Sequence, residues 1–334
     1  MNVGIIGLGY WGPNLVRNFF SHPNVQTIIV CDLRKDRLKF IKSRFPNVEL
    51  SNEPDNFIKS NVDIIAIATP VHTHYDIAKK ALANGKHIWV EKPFTSTTKQ
   101  ALELIELADR KNLKIFVDHT FIYTGAVRKI KELIDANELG TIKYFDSVRI
   151  NLGLFQHDIN VIWDLAPHDL SILHYLLSDI NVVAVSANGV ANYYDHENIA
   201  QISLYFNNDC FGNIHINWAS PVKIRRIIIG GSKKMILYND MENFEKIKVY
   251  DSGIEMTSSE SIHEALVQYR IGDMHSPKVM RTEALALGVQ EFFDAIEEDR
   301  EPLTSGKDGL KVISILEASE KSIKMKGNLV EVKM

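Results

Sequence analysis

A strict alternation of short apolar segments and helical patterns over residues 2–120 constrains this chain more than any other feature. Helical spacing occupies 12–20, 35–45, 74–84 and 98–111, and between these lie five segments that are apolar almost throughout: 2–6, 27–31, 64–68, 87–90 and 114–117. Continuous apolar segments of this length are typical of strands buried on both faces of a parallel sheet. Strand and helix in alternation therefore predict βαβ units and a doubly wound parallel sheet of the Rossmann type.

The pattern changes after about residue 123. Helical segments at 125–136 and 164–177 accompany period-two segments at 141–151, 199–206, 212–218 and 224–229. These predict a second α/β domain with an antiparallel sheet that helices cover on one face. Two helices, at 282–299 and 306–324, close the chain, and the polar stretch 251–277 is predicted to be irregular. The expected domains are 1–122 and 123–334, with a closing helix that could pack back on the first.

Composition excludes several classes of protein. A length of 334 residues suits two domains better than one core. The net charge is −4 without a basic block, which argues against nucleic-acid partners. No apolar run approaches the ~20 residues that a membrane span needs, and the N-terminus is typical of a first strand rather than a signal peptide. The cysteines, Cys31 and Cys210, are predicted to be buried thiols, so a cytoplasmic location is expected.

The glycine-rich segment after the first strand predicts a phosphate cradle. Gly7, Gly9 and Gly12 have the G-x-G-x-x-G spacing and stand between a strand and a helix, as that motif requires. Gly7 permits a tight turn, Gly9 lets backbone N–H groups approach a pyrophosphate, and Gly12 allows close helix packing. Tyr10 and Trp11, between the glycines, are candidate cofactor contacts. The alternative is a tight turn that binds no ligand.

Asp32 ends the second predicted strand, about 20 residues after the glycines, where an acid holds the adenosine ribose hydroxyls. A carboxylate there repels a 2′-phosphate, so the sequence favours NAD over NADP. Arg34, Lys35 and Arg37 follow at once and could weaken that preference. The alternative is that Asp32 caps a helix. The neighbouring Leu33 is a further candidate for contact with the cofactor.

Two later strands end in polar residues that should face a nicotinamide, because ligands of open α/β sheets bind beyond the carboxyl ends of the strands. Thr69 and Pro70 follow one strand, and Glu91 and Lys92 follow the other. A lysine in this position can stabilise an alkoxide that develops on a substrate. The alternative is a surface Lys92 paired with Glu91, which spacing alone would favour.

In the second domain, Asp164 and His168 stand four residues apart and so share one face of a helix. Histidine is suited to move a proton near neutral pH, and a carboxylate would orient it. The alternative is that Asp164 is an N-cap, Pro167 lies in the first turn and His168 belongs to the core. The remaining histidines and the cysteines show no metal-ligand spacing, so no metal site is predicted.

Taken together, these motifs resemble the glucose–fructose oxidoreductase/inositol dehydrogenase (Gfo/Idh/MocA) family. The resemblance rests on Gly-Leu-Gly-Tyr-Trp-Gly at 7–12, Ala-Thr-Pro at 68–70 with His74, Glu-Lys-Pro at 91–93, and Asp164 with His168. It extends over essentially the whole chain, including 129–134 and 307–310.

The resemblance implies hydride transfer between NAD and a secondary alcohol of a sugar or polyol, in the cytoplasm. It makes Lys92 the catalytic lysine, often with a cis bond to Pro93, and His168 the proton-transferring group with Asp164 as its companion. Further implied cofactor contacts are Thr69, Pro70, His74, Glu91 and Trp163. It also implies that the second domain is built on a large, mostly antiparallel open sheet, which binds substrate and carries homodimer or homotetramer contacts.

The sequence departs from the commonest family pattern at two places. Ala166 replaces a glycine before His168, and the segment after the last Rossmann strand lacks the usual arginine, which puts inositol-type substrates in doubt. The run around Trp163 and Asp164 is similar to the UDP-N-acetylglucosaminuronate 3-dehydrogenase branch, and so favours a nucleotide-linked hexose oxidised at C3 in surface-polysaccharide biosynthesis. The candidate substrate contacts are Lys92, Tyr123, Asn151, Asp164, His168 and Arg270.

Arg270, with Arg225 and Arg226, is a candidate because arginine binds diphosphates and carboxylates through two hydrogen bonds. All three could equally be surface charges. Two other functions stay open on the sequence alone: a dehydrogenase of a free sugar or cyclitol such as myo-inositol, and a dinucleotide-sensing regulator without catalysis.

Overall fold

The computed structural model describes residues 1–153, 159–193, 195–256 and 267–333. Within these ranges the chain forms two compact units. The first consists of 1–123 and 282–314, and the second of 124–281 and 315–333.

A six-stranded parallel sheet organises the first unit and confirms the predicted doubly wound fold. Its strands are β1 Asn2–Ile6, β2 Thr27–Cys31, β3 Glu49–Ser51, β4 Ile64–Ile67, β5 His87–Glu91 and β6 Ile115–Asp118. They lie in the order β3-β2-β1-β4-β5-β6. Five helices connect them: α1 Gly12–Phe20, α2 Lys35–Arg44, α3 Pro54–Ile58, α4 Val71–Ala83 and α5 Thr98–Lys111. The elements β3 and α3 were not predicted, because three and five residues are too few to show a period.

Among the residues that the structure describes, the second unit contains a nine-stranded sheet in which β7 and β10 are the one parallel pair. Its helices are α6 Gly125–Asp135 and α7 Val161–Leu176, and its strands are β7 Ile142–Leu152, β8 Val182–Val190, β9 Ile199–Phe206, β10 Phe211–Asn217, β11 Ala219–Gly231, β12 Met235–Asn239, β13 Ile247–Met256, β14 Val267–His275 and β15 Val330–Glu331. Helix α7 packs against β7, β9 and β10. The mostly antiparallel sheet is therefore confirmed.

The prediction that 251–277 is irregular was wrong for the described residues. β13 and β14 pair antiparallel there, in the outermost positions of the sheet, while 257–266 lie outside the described residues. Strands at a sheet edge are half solvated and carry polar side chains. Their sequence therefore lacks the apolar alternation that reveals an inner strand.

Helix α8, Ala284–Glu297, belongs to the first unit although the chain reaches it only after the second sheet. Its Phe292 lies 5.4 Å, between ring centroids, from Phe116, which stacks on Trp89 at 3.9 Å. Phe293 stacks on His22 at 4.2 Å. These aromatic rings close the core of the first unit. Helix α9, Gly306–Lys324, begins in the first unit and ends in the second.

In the part of the chain that the structure describes, no helix combines the length and apolarity needed to cross a membrane.

Candidate functional site

The glycine turn has the geometry that a pyrophosphate requires. Gly7 has φ +93°, and a Cβ there would lie 2.6 Å from the Ala68 carbonyl oxygen. A Cβ on Gly12 would lie 2.1 Å from the Gly7 carbonyl oxygen, whereas one on Gly9 would meet nothing within 4 Å. Two glycines are thus needed for packing, and the third faces open space. Helix α1 starts there without a side-chain cap, so its N-terminus can bind an anion.

The acid after β2 braces this turn. The Oδ2 atom of Asp32 accepts a hydrogen bond from the Leu8 N–H at 2.7 Å, and its Oδ1 atom accepts one from the Arg34 N–H at 2.8 Å. Leu33 and Tyr10 are largely exposed, at 76% and 91%. Exposed apolar side chains beside a phosphate cradle are surfaces that a dinucleotide would cover.

Lys92 follows β5 directly, and its bond to Pro93 is cis, as the family resemblance implies. Glu91 lies opposite Asp118 in the sheet register. Desolvation and the Asp118 carboxylate raise the pKa of Glu91 well above its ordinary value, although the Lys92 ammonium opposes the rise. The Glu91 carboxyl therefore keeps its proton to a higher pH than an ordinary glutamate does.

Asp118 links the end of β6 to the glycine turn. Its Oδ2 atom accepts a hydrogen bond from the Trp11 indole at 3.1 Å, and its Oδ1 atom accepts one from the Thr120 hydroxyl at 2.6 Å. The predicted cofactor residue Trp11 therefore also anchors the turn to β6. Nothing in the sequence indicated this contact, because the two residues stand 107 positions apart.

His119 is a second residue that sequence reasoning did not assign. It is 1% exposed, and within the described residues neither ring nitrogen has a hydrogen-bond partner. Burial, aided by the charge of Lys92, lowers its pKa to about 3. A neutral imidazole thus lies near the lysine.

The buried state of His119 predicts a pH-dependent stability. Below pH ~6.5 the unfolded chain binds a proton that the folded chain refuses, so the free energy of unfolding falls as the pH drops. Between pH 7.5 and 5.5 the protonation of His119 in the unfolded chain should lower the free energy of unfolding by about 1.4 kcal/mol. Urea unfolding of the native chain and of His119→Gln should show a flatter pH dependence for the variant by that amount. If the native chain and the variant showed the same pH dependence of the free energy of unfolding, the His119 imidazole would take up its proton in the folded chain as readily as in the unfolded chain, and the proposed burial effect would be wrong.

His74 lies between the loops that follow β4 and β5. It is 1% exposed, and its ring nitrogens lie 2.9 Å from the Pro93 carbonyl oxygen and 2.8 Å from that of Thr69. His74 therefore connects the two strand-end loops, and its contact with the nicotinamide ribose stays a prediction. The Thr69 hydroxyl pairs with that of Thr73 at 2.7 Å, and Pro70 is exposed before α4.

In the second unit, α7 carries both predicted proton-transfer residues. The helix begins three residues earlier than predicted, because Asn160 is the cap: its Oδ1 atom accepts hydrogen bonds from the N–H groups of Ile162 and Trp163, both at 3.1 Å. Asp164 is thus not the N-cap, and Pro167 lies inside the helix. The alternative interpretation of this segment, as a routine cap followed by a first-turn proline, was wrong.

Asp164 on α7 is held by a residue of the nine-stranded sheet region. The Trp218 indole, between β10 and β11, donates a hydrogen bond to the Asp164 Oδ2 atom at 3.1 Å. Gly153 donates its N–H to the Trp218 carbonyl at 2.9 Å, and a Cβ on Gly153 would lie 2.9 Å from the Asn151 amide nitrogen. The structure therefore groups Asp164 with Asn151 at the end of β7 and adds Trp218, which the sequence analysis missed.

A buried ion pair fixes the rotation of α7 on the sheet. Asp169, next to His168, binds Arg149 of β7, with Oδ2 2.7 Å from Nε and Oδ1 3.1 Å from Nη2. The Ser147 hydroxyl donates to the same carboxylate at 2.8 Å. Both charges are more than nine-tenths buried, so breaking the pair by removing one partner would leave a costly unpaired charge. His168 itself is half-buried.

Tyr123, Trp163 and Arg270 each have a partner within their own unit. Tyr123 is buried in the first unit, with its hydroxyl 3.0 Å from that of Thr304, and its contact with substrate stays a prediction. The Trp163 indole donates to Glu320 at 3.4 Å. Arg270 binds Asp251 and the Lys233 carbonyl. Its strand β14 lies four positions from β7, or ~19 Å at the usual strand spacing.

Arg225 and Arg226 lie on β11, where the former is 3.5 Å from Asp240 and the latter is exposed. Among the described residues, no group of three or more His, Cys, Asp or Glu side chains has the arrangement of a metal site.

Comparison with protein families gives two matches. A profile of an oxidoreductase family with an NAD-binding Rossmann fold matches residues 1–119. The profile of the GFO/IDH/MocA C-terminal domain matches residues 127–237. Together the two profiles cover more than half of the chain.

Relatives of known activity match over much of their length. A UDP-N-acetylglucosamine 3-dehydrogenase of Acidithiobacillus ferrooxidans is 25% identical over 323 residues, 94% of each chain. A scyllo-inositol 2-dehydrogenase (NAD(+)) of Bacillus subtilis is 26% identical over 241 residues, 68% of this chain and 70% of that one.

Solved structures share the fold. That of the Acidithiobacillus ferrooxidans enzyme superposes with a TM-score of 0.79 at 23% identity, over 97% of this chain and 98% of that one. Levoglucosan dehydrogenase in complex with NADH gives a TM-score of 0.84 at 19% identity, over 100% and 99% of the two chains.

Proposed function

This chain belongs to the Gfo/Idh/MocA family of NAD-binding oxidoreductases, and we propose that it transfers a hydride between nicotinamide and a secondary alcohol or ketone of a sugar. One observation carries the proposal. Lys92 stands at the carboxyl edge of the dinucleotide-binding sheet, directly after β5, near Glu91, whose pKa is raised, and His119, whose pKa is lowered. A lysine ammonium at the edge where ligands of open α/β sheets bind is suited to stabilise a negative oxygen.

The residues of the first unit fit NAD. The open space over Gly9 and the uncapped start of α1 suit the pyrophosphate, and Asp32 directly follows β2, where the ribose hydroxyls would lie. Bound NAD supplies the hydride acceptor. The protein supplies position and charge.

In the proposed mechanism, His168 accepts the proton of the substrate hydroxyl. At the same time, a hydride leaves the carbon that bears this hydroxyl for the nicotinamide. Lys92 donates a hydrogen bond to that oxygen and stabilises the charge that develops on it. Asp164, four residues before His168 on α7, orients the imidazole, and the Trp218 indole orients Asp164. The ion pair of Asp169 with Arg149 holds the helix in the rotation that this requires.

We further propose that the substrate is a nucleotide-linked hexose, oxidised at C3. The match to the UDP-N-acetylglucosamine 3-dehydrogenase supports this, because it spans 94% of both chains. The scyllo-inositol 2-dehydrogenase supports a second candidate, a free sugar or cyclitol.

A spectrophotometric assay of NADH formation separates the two candidates. UDP- and dTDP-linked hexoses, the corresponding free hexoses and myo-inositol are offered at equal concentration with NAD. We expect turnover with a nucleotide sugar and inhibition of that turnover by free UDP. Turnover of free polyols that UDP does not inhibit would establish the second candidate. Tight NADH binding without turnover of any member would favour a dinucleotide sensor.

We also propose that the chain forms a homodimer or homotetramer through the second sheet. The face of this sheet opposite α7 carries half-exposed apolar side chains on neighbouring strands, at Val148, Ile150, Ile224 and Ile228. Such a patch on a folded chain is typical of an interface.

Ile228→Glu places a charge in the centre of this patch and should convert the oligomer to a monomer in mass photometry. Leu102→Glu on α5 is the matched control, since Leu102 is 43% exposed in the first unit. A native chain that is already monomeric at micromolar concentration would refute the interface.

A further inference from the structure

We propose that this chain binds NADPH as well as NADH, and that the Arg34 guanidinium is the group that accepts the adenosine 2′-phosphate. The inference rests on dinucleotide binding by the first unit, not on the sugar chemistry proposed above. It concerns the end of β2 and the start of α2.

Asp32, the acid that would be expected to exclude a 2′-phosphate, accepts hydrogen bonds from the backbone of the glycine turn and of its own loop. An acid after the second strand selects NAD because its charge faces the ribose 2′-position. Here Asp32 is 8% exposed in its side chain, and each of its oxygens accepts a backbone N–H, from Leu8 at 2.7 Å and from Arg34 at 2.8 Å. The carboxylate is thus engaged in bracing the glycine turn, and hydrogen bonds from two amides disperse its charge.

A cation stands on the same carboxylate. The Nε atom of Arg34 lies 3.4 Å from the Asp32 Oδ1 atom, while the Arg34 side chain is 54% exposed. Because the Arg34 side chain is more than half exposed, this ion pair contributes little to stability. The guanidinium is therefore free to exchange its partner for a phosphate, which it can bind through two parallel hydrogen bonds.

The surrounding charges favour an anion at this position. Helix α2 begins at Lys35 without a side-chain cap, and its first turn carries Lys35 and Arg37 against the single acid Asp36. Cations at a helix N-terminus oppose the helix dipole, and a bound anion would relieve that repulsion. Together with Arg34, the segment offers three cations at the place where NADPH differs from NADH by one phosphate.

Fluorescence titration of the full chain with NADH and with NADPH tests the proposal through binding alone. We expect the native chain to bind both nucleotides, and added salt to weaken NADPH binding more than NADH binding. Arg34→Gln should raise the Kd for NADPH about 10- to 100-fold, the usual effect of losing a charged hydrogen bond. The Kd for NADH should change less than about threefold, since an exposed pair contributes little.

Lys39→Gln is the matched control, because Lys39 is exposed on the same helix and its loss changes the net charge equally. It should leave both dissociation constants unchanged. A native chain that binds NADH but not NADPH would overturn the proposal. So would an Arg34→Gln variant in which the binding of both nucleotides is weakened equally, or in which neither is weakened. No sugar enters this measurement, so a failed substrate assignment and a failed NADPH proposal are separate results.

Discussion

Replacing Lys92 by methionine should lower kcat by ~10²–10⁴-fold, the range for loss of a group that assists proton transfer or stabilises an alkoxide. Methionine keeps the length of the side chain and removes its charge. The Kd for NADH should stay within about threefold of the native value, because the glycine turn and Asp32 are untouched. Stopped-flow single turnover with the sugar that the NADH-formation assay identifies, with NADH titration in parallel, measures both quantities.

Two variants sharpen this test. Lys99→Met removes an exposed lysine near the start of α5 and should leave kcat unchanged. Lys92→Arg retains the charge on a larger planar group and should recover only part of the lost rate, since arginine cannot release its proton in proteins. If Lys92→Met turned over at the native rate, the proposed role of this lysine would be wrong, whatever the substrate.

The sequence predicted those parts of the site that depend on local backbone requirements. Gly7 and Gly12 could be assigned because their roles are steric and are contained within one turn, and a Cβ at either would indeed meet a backbone carbonyl. The strand ahead of Lys92 could be placed because a fully apolar segment in an alternating pattern has few other interpretations.

The supporting contacts could not be predicted, because they join residues that only the sheet register brings together. Trp218 binds Asp164 across 54 positions, and Trp11 binds Asp118 across 107. A single sequence indicates which segments form strands, but not which strands are neighbours in a mostly antiparallel sheet of nine strands. For the same reason the sequence did not show that the strand of Arg270 lies four positions from β7, and the contact of Arg270 with substrate stays a prediction.

The resemblance of motifs to the family also pointed to residues without showing which contacts they make. His74 was expected beside the nicotinamide ribose, yet its two ring nitrogens meet the carbonyl oxygens of Thr69 and Pro93. Asp164 was expected either to cap α7 or to assist His168, and Asn160 is the cap. A polar residue in a motif can thus serve the site by holding its loops.

His168→Gln should reduce kcat by ~10²–10⁴-fold while sparing NADH binding, because the proposed proton acceptor lies on α7 and the dinucleotide cradle lies in the first unit. Glutamine retains a hydrogen-bonding group but cannot accept the proton. The native chain and His168→Gln should therefore differ most in single-turnover oxidation, where proton removal accompanies hydride transfer. His196→Gln replaces an exposed histidine of the same unit and should behave as the native chain.

The companion variant Asp164→Asn distinguishes orientation from proton transfer. It keeps the shape that the Trp218 indole contacts but removes the charge. A positioning role predicts a loss smaller than that of His168→Gln, and the double variant should lose little more than His168→Gln alone, because residues that act as a unit are not additive. Fully multiplicative losses would show that the two side chains act independently. If His168→Gln kept the native kcat, the proton acceptor would be another group, and Lys92 would be the next to examine.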